Sequence, residues 1–151
     1  MQSVLDIYLN KISSNARHVV NMCENRNIEV LGVTKGFSAN PWIVDAMIEG
    51  GIRGLADSRL ENVASIRSLG YSEPVTLLRI PCLSDAEHVV RLTDYSLNSE
   101  YVVIKALSKA AKSQSRIHNI ILMIDVGDRR EGILPEDTLE TVRKILMLEG
   151  I

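Results

Sequence analysis

Apolar residues in this chain fall into short runs separated by segments of helical period. Runs at 28–34, 54–57, 74–80, 95–98 and 120–126 have the length and β-branched content of strands, and 120–126 is the most pronounced. Pro81 ends the third. The runs are nearly continuous rather than alternating, which predicts strands covered on both faces, as in a parallel sheet. Helical segments lie between them. Asn40 before Pro41 reads as an N-cap with proline at the first helical position, and Gly50-Gly51 closes that helix. Its apolar residues Ile43, Val44, Met47 and Ile48 share one face. Asp57 or Ser58 caps a helix running to Gly70, and Ser84 to Glu87 reads as a capping box before Val89, Val90 and Leu92. Ser99-Glu100 starts a helix carrying Val103, Ile104 and Leu107. Pro135 opens a last one, closed by Gly150. A further helix spans roughly 11–24, and Val4 to Tyr8 reads as an isolated strand before it.

Strand and helix therefore alternate strictly. Such alternation predicts right-handed crossovers and one α/β unit over residues 1–151, with no Pro/Gly/Ser-rich linker to divide it. Two architectures fit five βα units. One is a flavodoxin-like doubly wound sheet; the other is the N-terminal part of a (β/α)8 TIM barrel. A whole barrel needs about 250 residues, so 151 cannot complete one.

Both architectures collect chemistry at the carboxyl ends of the strands. The residues there are Lys35-Gly36, Asp57-Ser58-Arg59, Arg79-Ile80-Pro81, Asn98-Ser99-Glu100 and the charged stretch from Asp125 to Gly132. Lys35 directly follows a buried-type run. Partial desolvation there predicts a lowered pKa and a nucleophilic or Schiff-base-forming amine; the alternative is a lysine paired with a strand-end carboxylate. In the last loop, Arg129 or Arg130 presents a planar fork to a carboxylate or phosphate. Rival readings are Mg²⁺ on Asp125 and Asp128, or charges that pair among themselves.

Composition narrows the classes. Lys+Arg 17 against Asp+Glu 19 gives a net charge of -2, without the basic excess of a nucleic-acid binder. No apolar run approaches the roughly 20 residues of a membrane span, and the first residues lack a signal-peptide pattern. Cys23 and Cys82 are far apart and are expected as reduced, buried thiols of a cytoplasmic protein. His18, His88 and His118 are dispersed and make no metal-ligand set. Met22, Met47, Met123 and Met147 are expected as core filler, and Lys105, Lys109, Lys112 and Arg116 as a solvated helix face. There is no GxGxxG and no Walker A motif.

Val33-Thr34-Lys35-Gly36 resembles the pyridoxal-phosphate lysine segment of the alanine-racemase-like (fold type III) enzymes. Ile124-Asp125-Val126-Gly127-Asp128-Arg129-Arg130-Glu131-Gly132 resembles their strand-five segment. Leu55-Ala56-Asp57-Ser58-Arg59, Leu78-Arg79-Ile80-Pro81 and Leu97-Asn98-Ser99-Glu100 are similar to the ornithine/alanine racemase branch. The resemblance runs along essentially the whole chain. It implies that residues 1–151 are the N-terminal, pyridoxal 5'-phosphate-binding barrel domain, incomplete by itself, of a racemase interconverting L- and D-amino acids. Lys35 would hold the cofactor as a Schiff base and exchange the substrate's α-proton. Arg130 would lie near the cofactor's phenolic oxygen and the substrate carboxylate, with Arg79 as a second substrate-binding residue. The family's phosphate-binding loops, opposite-face base and C-terminal β domain would lie outside these residues, leaving the chain alone inactive. Many alanine racemases carry a tyrosine shortly after the lysine; Phe37, Ser38 and Ala39 stand here, which points away from alanine. A homodimer is implied. The alternatives are a non-catalytic pyridoxal-phosphate-binding protein of the same barrel family and a flavodoxin-like binding module.

Overall fold

A computed structural model describes residues 4–151. Five strands form one sheet: β1 (Leu31–Val33), β2 (Gly54–Asp57), β3 (Val75–Leu77), β4 (Tyr95–Asn98) and β5 (Asn119–Leu122). Their spatial order is β1-β2-β3-β4-β5, and every pairing is parallel. This order decides between the two architectures. A doubly wound sheet reverses direction at a switch point, and this sheet never does. Each strand lies beside its predecessor, so right-handed crossovers place every connecting helix on the same face. That is the winding of a TIM barrel.

The helices are α1 (Leu9–Glu24), α2 (Pro41–Glu49), α3 (Leu60–Ser68), α4 (Ala86–Leu92), α5 (Tyr101–Ser113) and α6 (Thr138–Ile145). Register explains which strand residues they cover. Gly32, Leu55 and Val75 stand side by side, as do Asp57, Leu77 and Ser96. Leu55, Val75 and Leu77 meet Val44, Val63, Ile66, Val89 and Leu107 in two adjoining apolar clusters between sheet and helices. Gly50 permits α1 to pack on α2, since a Cβ there would lie 2.6 Å from the Ser13 carbonyl oxygen.

The opposite face is uncovered. Leu31, Val33 and Ile121 remain 43%, 43% and 44% exposed, and with Tyr95 they line one side of the sheet. A concavity of about 730 Å³ lies against it, bounded by Leu31, Gly54, Thr76, Tyr95 and Ile121 and, at the amino ends of the strands, by Glu29 and Arg53.

Several sequence expectations are corrected. Residues 4–8 form no strand: Val4 and Leu5 are 83% exposed and have no neighbour to pair with. The apolar runs at 28–34, 74–80 and 120–126 overstate the strands, because the ladder holds only 31–33, 75–77 and 119–122. The Ser84 to Glu87 capping box does not form. A 3-10 turn at Leu83–Asp85 delays α4 to Ala86, and the Ser84 hydroxyl donates to its neighbour Asp85 instead. Met22 and Met147 are exposed rather than core residues, and Cys82 is an exposed thiol while Cys23 is half-buried. The Asn40 cap is present, its side-chain oxygen accepting from the Trp42 N–H at 3.1 Å. No helix among the described residues is long and apolar enough to cross a membrane.

Candidate active site at the carboxyl rim

Lys35 leaves β1 in a 3-10 turn spanning Lys35–Phe37. The turn is anchored by the residue before it. The Thr34 N–H donates to the Ala56 carbonyl at 2.8 Å, and the Thr34 carbonyl accepts from Phe37 and Ala39, both at 3.2 Å. The Thr34 hydroxyl donates to Asp57 Oδ2 at 2.6 Å. Ser38 and Ala39 follow with φ of 52° and 53°, a left-handed pair without a glycine. Each such residue costs about 1 kcal/mol or more and persists only where its surroundings over-determine it. Here Ala39 is buried in the α1–α2 cluster and Asn40 begins α2, so both ends of the turn are fixed.

Lys35 itself is exposed, and the partial desolvation expected from its position is not found. The reason is the uncovered face: the run before Lys35 is buried only toward the helices. A Cβ built on Gly36 would touch nothing within 4 Å, so open space adjoins the lysine.

Asp57 is fully buried at the carboxyl end of β2. Besides Thr34 it accepts from the Arg59 N–H at 2.9 Å and from the Asn62 amide at 3.2 and 3.1 Å. The expected helix cap is not formed: α3 begins at Leu60 with Arg59 at its N-cap and no side-chain cap, and the Asp57 bond to the Arg59 N–H makes an Asx turn just ahead of the helix. Asn98 ends β4, donating to the Ser96 hydroxyl oxygen at 2.8 Å and to the Ser96 carbonyl at 2.9 Å. Behind it, His118 is 1% exposed with Nε2 at 2.8 Å from Ser96 Oγ. Burial holds the His118 pKa below its ordinary value of 6.5, with Arg116 acting in the same direction and the Thr93 backbone and Asp94 opposing.

The loop after β5 is closed by a bridge between Ile124 and Ile133. Asp125 Oδ1 accepts from the Gly127 N–H at 2.8 Å and the Arg129 N–H at 3.1 Å. These donors, Gly127 first, hold the Asp125 carboxyl below its ordinary value. Asp125 Oδ1 is thus taken up by N–H donors of its own loop, and among the described residues no group of three or more His, Cys, Asp or Glu is placed to hold a metal ion. Arg129 and Arg130 are exposed, as is Arg79 just beyond β3.

Asp57 and Asn98 end β2 and β4, while Lys35, Arg79 and Arg130 lie beyond the carboxyl ends of β1, β3 and β5, so the five mark successive strands of one rim. No ion pair among the described residues includes Lys35, Arg79 or Arg130, so the reading of rim charges neutralising one another is not realised. The large concavity belongs to the other end of the strands and holds none of these residues. Sequence reasoning missed the Thr34–Asp57–Asn62 cluster and the Ser96–Asn98–His118 cluster. Their only prior signal was a polar residue ending each apolar run.

The family model for the N-terminal domain of alanine racemase matches residues 7–151. The chain belongs to this family. Among curated relatives of this racemase domain, an ornithine racemase of Acetoanaerobium sticklandii is 38% identical over 152 residues, covering 100% of this chain and 42% of the relative. A lysine racemase of Thermotoga maritima is 38% identical over 136 residues, covering 90% and 38%. The chain thus spans about two fifths of the length of these relatives. An alanine racemase structure from Clostridium difficile superposes with a TM-score of 0.78 at 20% identity, covering 91% of this chain and 38% of that one, which establishes the shared barrel fold.

Proposed function

We propose that this chain carries the cofactor lysine, Lys35, of a pyridoxal-phosphate-dependent racemase acting on ornithine or a related amino acid. The observation that carries the proposal is an exposed primary amine at the carboxyl end of β1, in a turn preceded by Thr34, whose backbone N–H, carbonyl and hydroxyl are all bonded. The residues fit the cofactor. An unpaired amine stands beside open space at Gly36, and two guanidinium groups without ion-pair partners share its rim.

Lys35 would hold pyridoxal phosphate covalently through its amine. When bound, the cofactor supplies an electron sink for the charge left at the substrate's α-carbon. Lys35 Nζ would remove or deliver the α-proton on one face only, and inversion requires a second acid–base group on the opposite face. Arg130 and Arg79 bind the substrate carboxylate, for which a planar two-donor fork is the matching shape. Ornithine and lysine are favoured because the relatives at 38% identity carry those names. We further place the enzyme in the cytoplasm as a homodimer, a compartment compatible with the free thiols of Cys23 and Cys82.

The test loads the full-length protein with pyridoxal phosphate, reduces it with borohydride and maps the phosphopyridoxyl group. The expected label is on Lys35, with racemisation of L-ornithine that Lys35→Ala abolishes. Label scattered over Lys11, Lys105 and Lys109, with Lys35 unmodified, would sink the assignment. A Lys35 label with no racemisation of any amino acid would instead support the non-catalytic binding protein.

A further inference from the structure

We infer that Asp57, acting through Thr34, is a positioning residue for the Lys35 amine. The inference rests on the assignment of Lys35 as the cofactor lysine and goes one residue deeper. Thr34 and Asp57 are both fully buried, yet they lie 23 residues apart and end adjacent strands. Register alone brings Asp57 beside β1: Val33 pairs with Ala56, so the next residue of each strand meets its counterpart.

Every donor reaching the Asp57 side chain is matched to an acceptor-only group. The Thr34 hydroxyl, the Arg59 N–H and the Asn62 amide all point hydrogens at its two oxygens. No ion pair among the described residues includes Asp57, so it is held by hydrogen bonds rather than by a cation. A buried carboxylate with such a set is costly unless all its bonds are made. Asp57 serves the Arg59 N–H and the Asn62 amide without help from Thr34, so local structure gives no reason for a hydroxyl rather than a branched aliphatic side chain at 34. What the polar pair adds is direction. It fixes the Thr34 side chain, and with it the residue whose carbonyl receives both hydrogen bonds of the following turn. That turn contains Lys35 and leads into the left-handed pair Ser38 and Ala39. An exposed lysine has no packing of its own to hold it, so its backbone root is the part the fold can define.

The test compares Thr34→Val, Thr34→Ser and Asp57→Asn in the full-length protein. Thr34→Val keeps the branched shape and removes only the hydroxyl, so it guards against an Asp57 variant that fails to fold. The readout is the rate of borohydride-trapped phosphopyridoxyl labelling at Lys35 relative to Lys105 and Lys109 in the same molecule, followed against pH. Melting temperature and the kcat and KM for racemisation are recorded beside it. Thr34→Val is expected to slow relative labelling at Lys35 by about 10-fold or more, with kcat falling further than KM changes, while Thr34→Ser returns to within about 2-fold of the parent. Asp57→Asn, where it folds, should match Thr34→Val. Unchanged relative labelling in a folded Thr34→Val protein overturns the inference, as does a Thr34→Ser variant no better than Thr34→Val. If the parent protein itself is not labelled at Lys35, the lysine assignment fails first, and the inference falls with it.

Discussion

Arg67 Nη2 donates to Asp94 Oδ2 at 2.6 Å, at the end of the sheet opposite Lys35. The same guanidinium reaches the carbonyls of Leu92, Tyr71 and Glu73 at 3.0, 3.0 and 2.9 Å, and the same carboxylate oxygen receives the Val75 N–H at 2.8 Å. One side chain thus gathers the loops that enter β3 and β4. In a barrel the amino end of the strands serves stability and the carboxyl end serves chemistry.

Arg67→Ala is expected to lower stability by about 2–4 kcal/mol, since it removes the donor to three carbonyls and leaves the Asp94 carboxylate with the Val75 N–H but no charge partner. Arg67→Lys should recover only part of this, because an ammonium cannot present four donors in a planar fork. Urea denaturation of the variants reads the effect. Racemisation by the folded fraction should be unchanged, and a selective loss of kcat would place Arg67 in the chemistry.

Arg130→Ala is expected to behave in the opposite way. Its side chain is exposed and in no ion pair among the described residues, so stability should stay within about 0.5 kcal/mol of the parent. Turnover should fall by about 100-fold, as when one charged partner of a developing transition state is removed. Equal losses in folding and turnover would make Arg130 a structural residue.

Gly132 has a φ of 128°, and a Cβ there would sit 2.7 Å from the Ile124 carbonyl carbon and closer still to the Asp125 nitrogen. These are backbone atoms that cannot swing aside. Gly132→Ala should therefore open the bridge between Ile124 and Ile133 at a cost of about 1–3 kcal/mol. Amide exchange at Ile133, whose N–H donates to Met123, would report it. If Arg130 binds substrate, KM should rise in the same variant.

His118 should make stability depend on acidity. Its pKa in the folded chain is below 6.5 because burial disfavours the cation, so at pH values under 6.5 the unfolded chain binds more protons. Stability is then flat above pH 6.5 and declines as pH falls from there toward the folded value. Denaturant midpoints of the parent and of His118→Gln, taken from pH 7.5 to 5, should diverge in slope over that window, the variant being flatter. Parallel profiles would show that the histidine does not carry the dependence.

Lys35 was legible because a single cation after a long apolar run is conspicuous, and the Asn40-Pro41 start of α2 because capping is local chemistry. Asp57 was only half legible. Its bond to the Arg59 N–H is a local Asx turn, which the sequence suggests as a helix cap without forming one, whereas its bond to Thr34 depends on which residue of β1 faces β2, and spacing along the chain does not encode that. Strand ends failed for a related reason. The apolar run continues through Val126, but the ladder requires a partner, and β4 ends at Asn98, whose carbonyl takes the Met123 N–H as its last bond. Residues 4–8 show the same rule at its limit, since a strand-like composition without a neighbour forms nothing.

The order in which the strands sit has a consequence for how the protein is made. Because each strand lies against the one translated just before it, the sheet can grow from one edge as the chain leaves the ribosome, and no strand must later be inserted between two that are already joined. The Thr34–Asp57 bond joins residues 23 positions apart on neighbouring strands, so the root of the Lys35 turn can be set once β2 lies beside β1 and before β3, β4 and β5 are added.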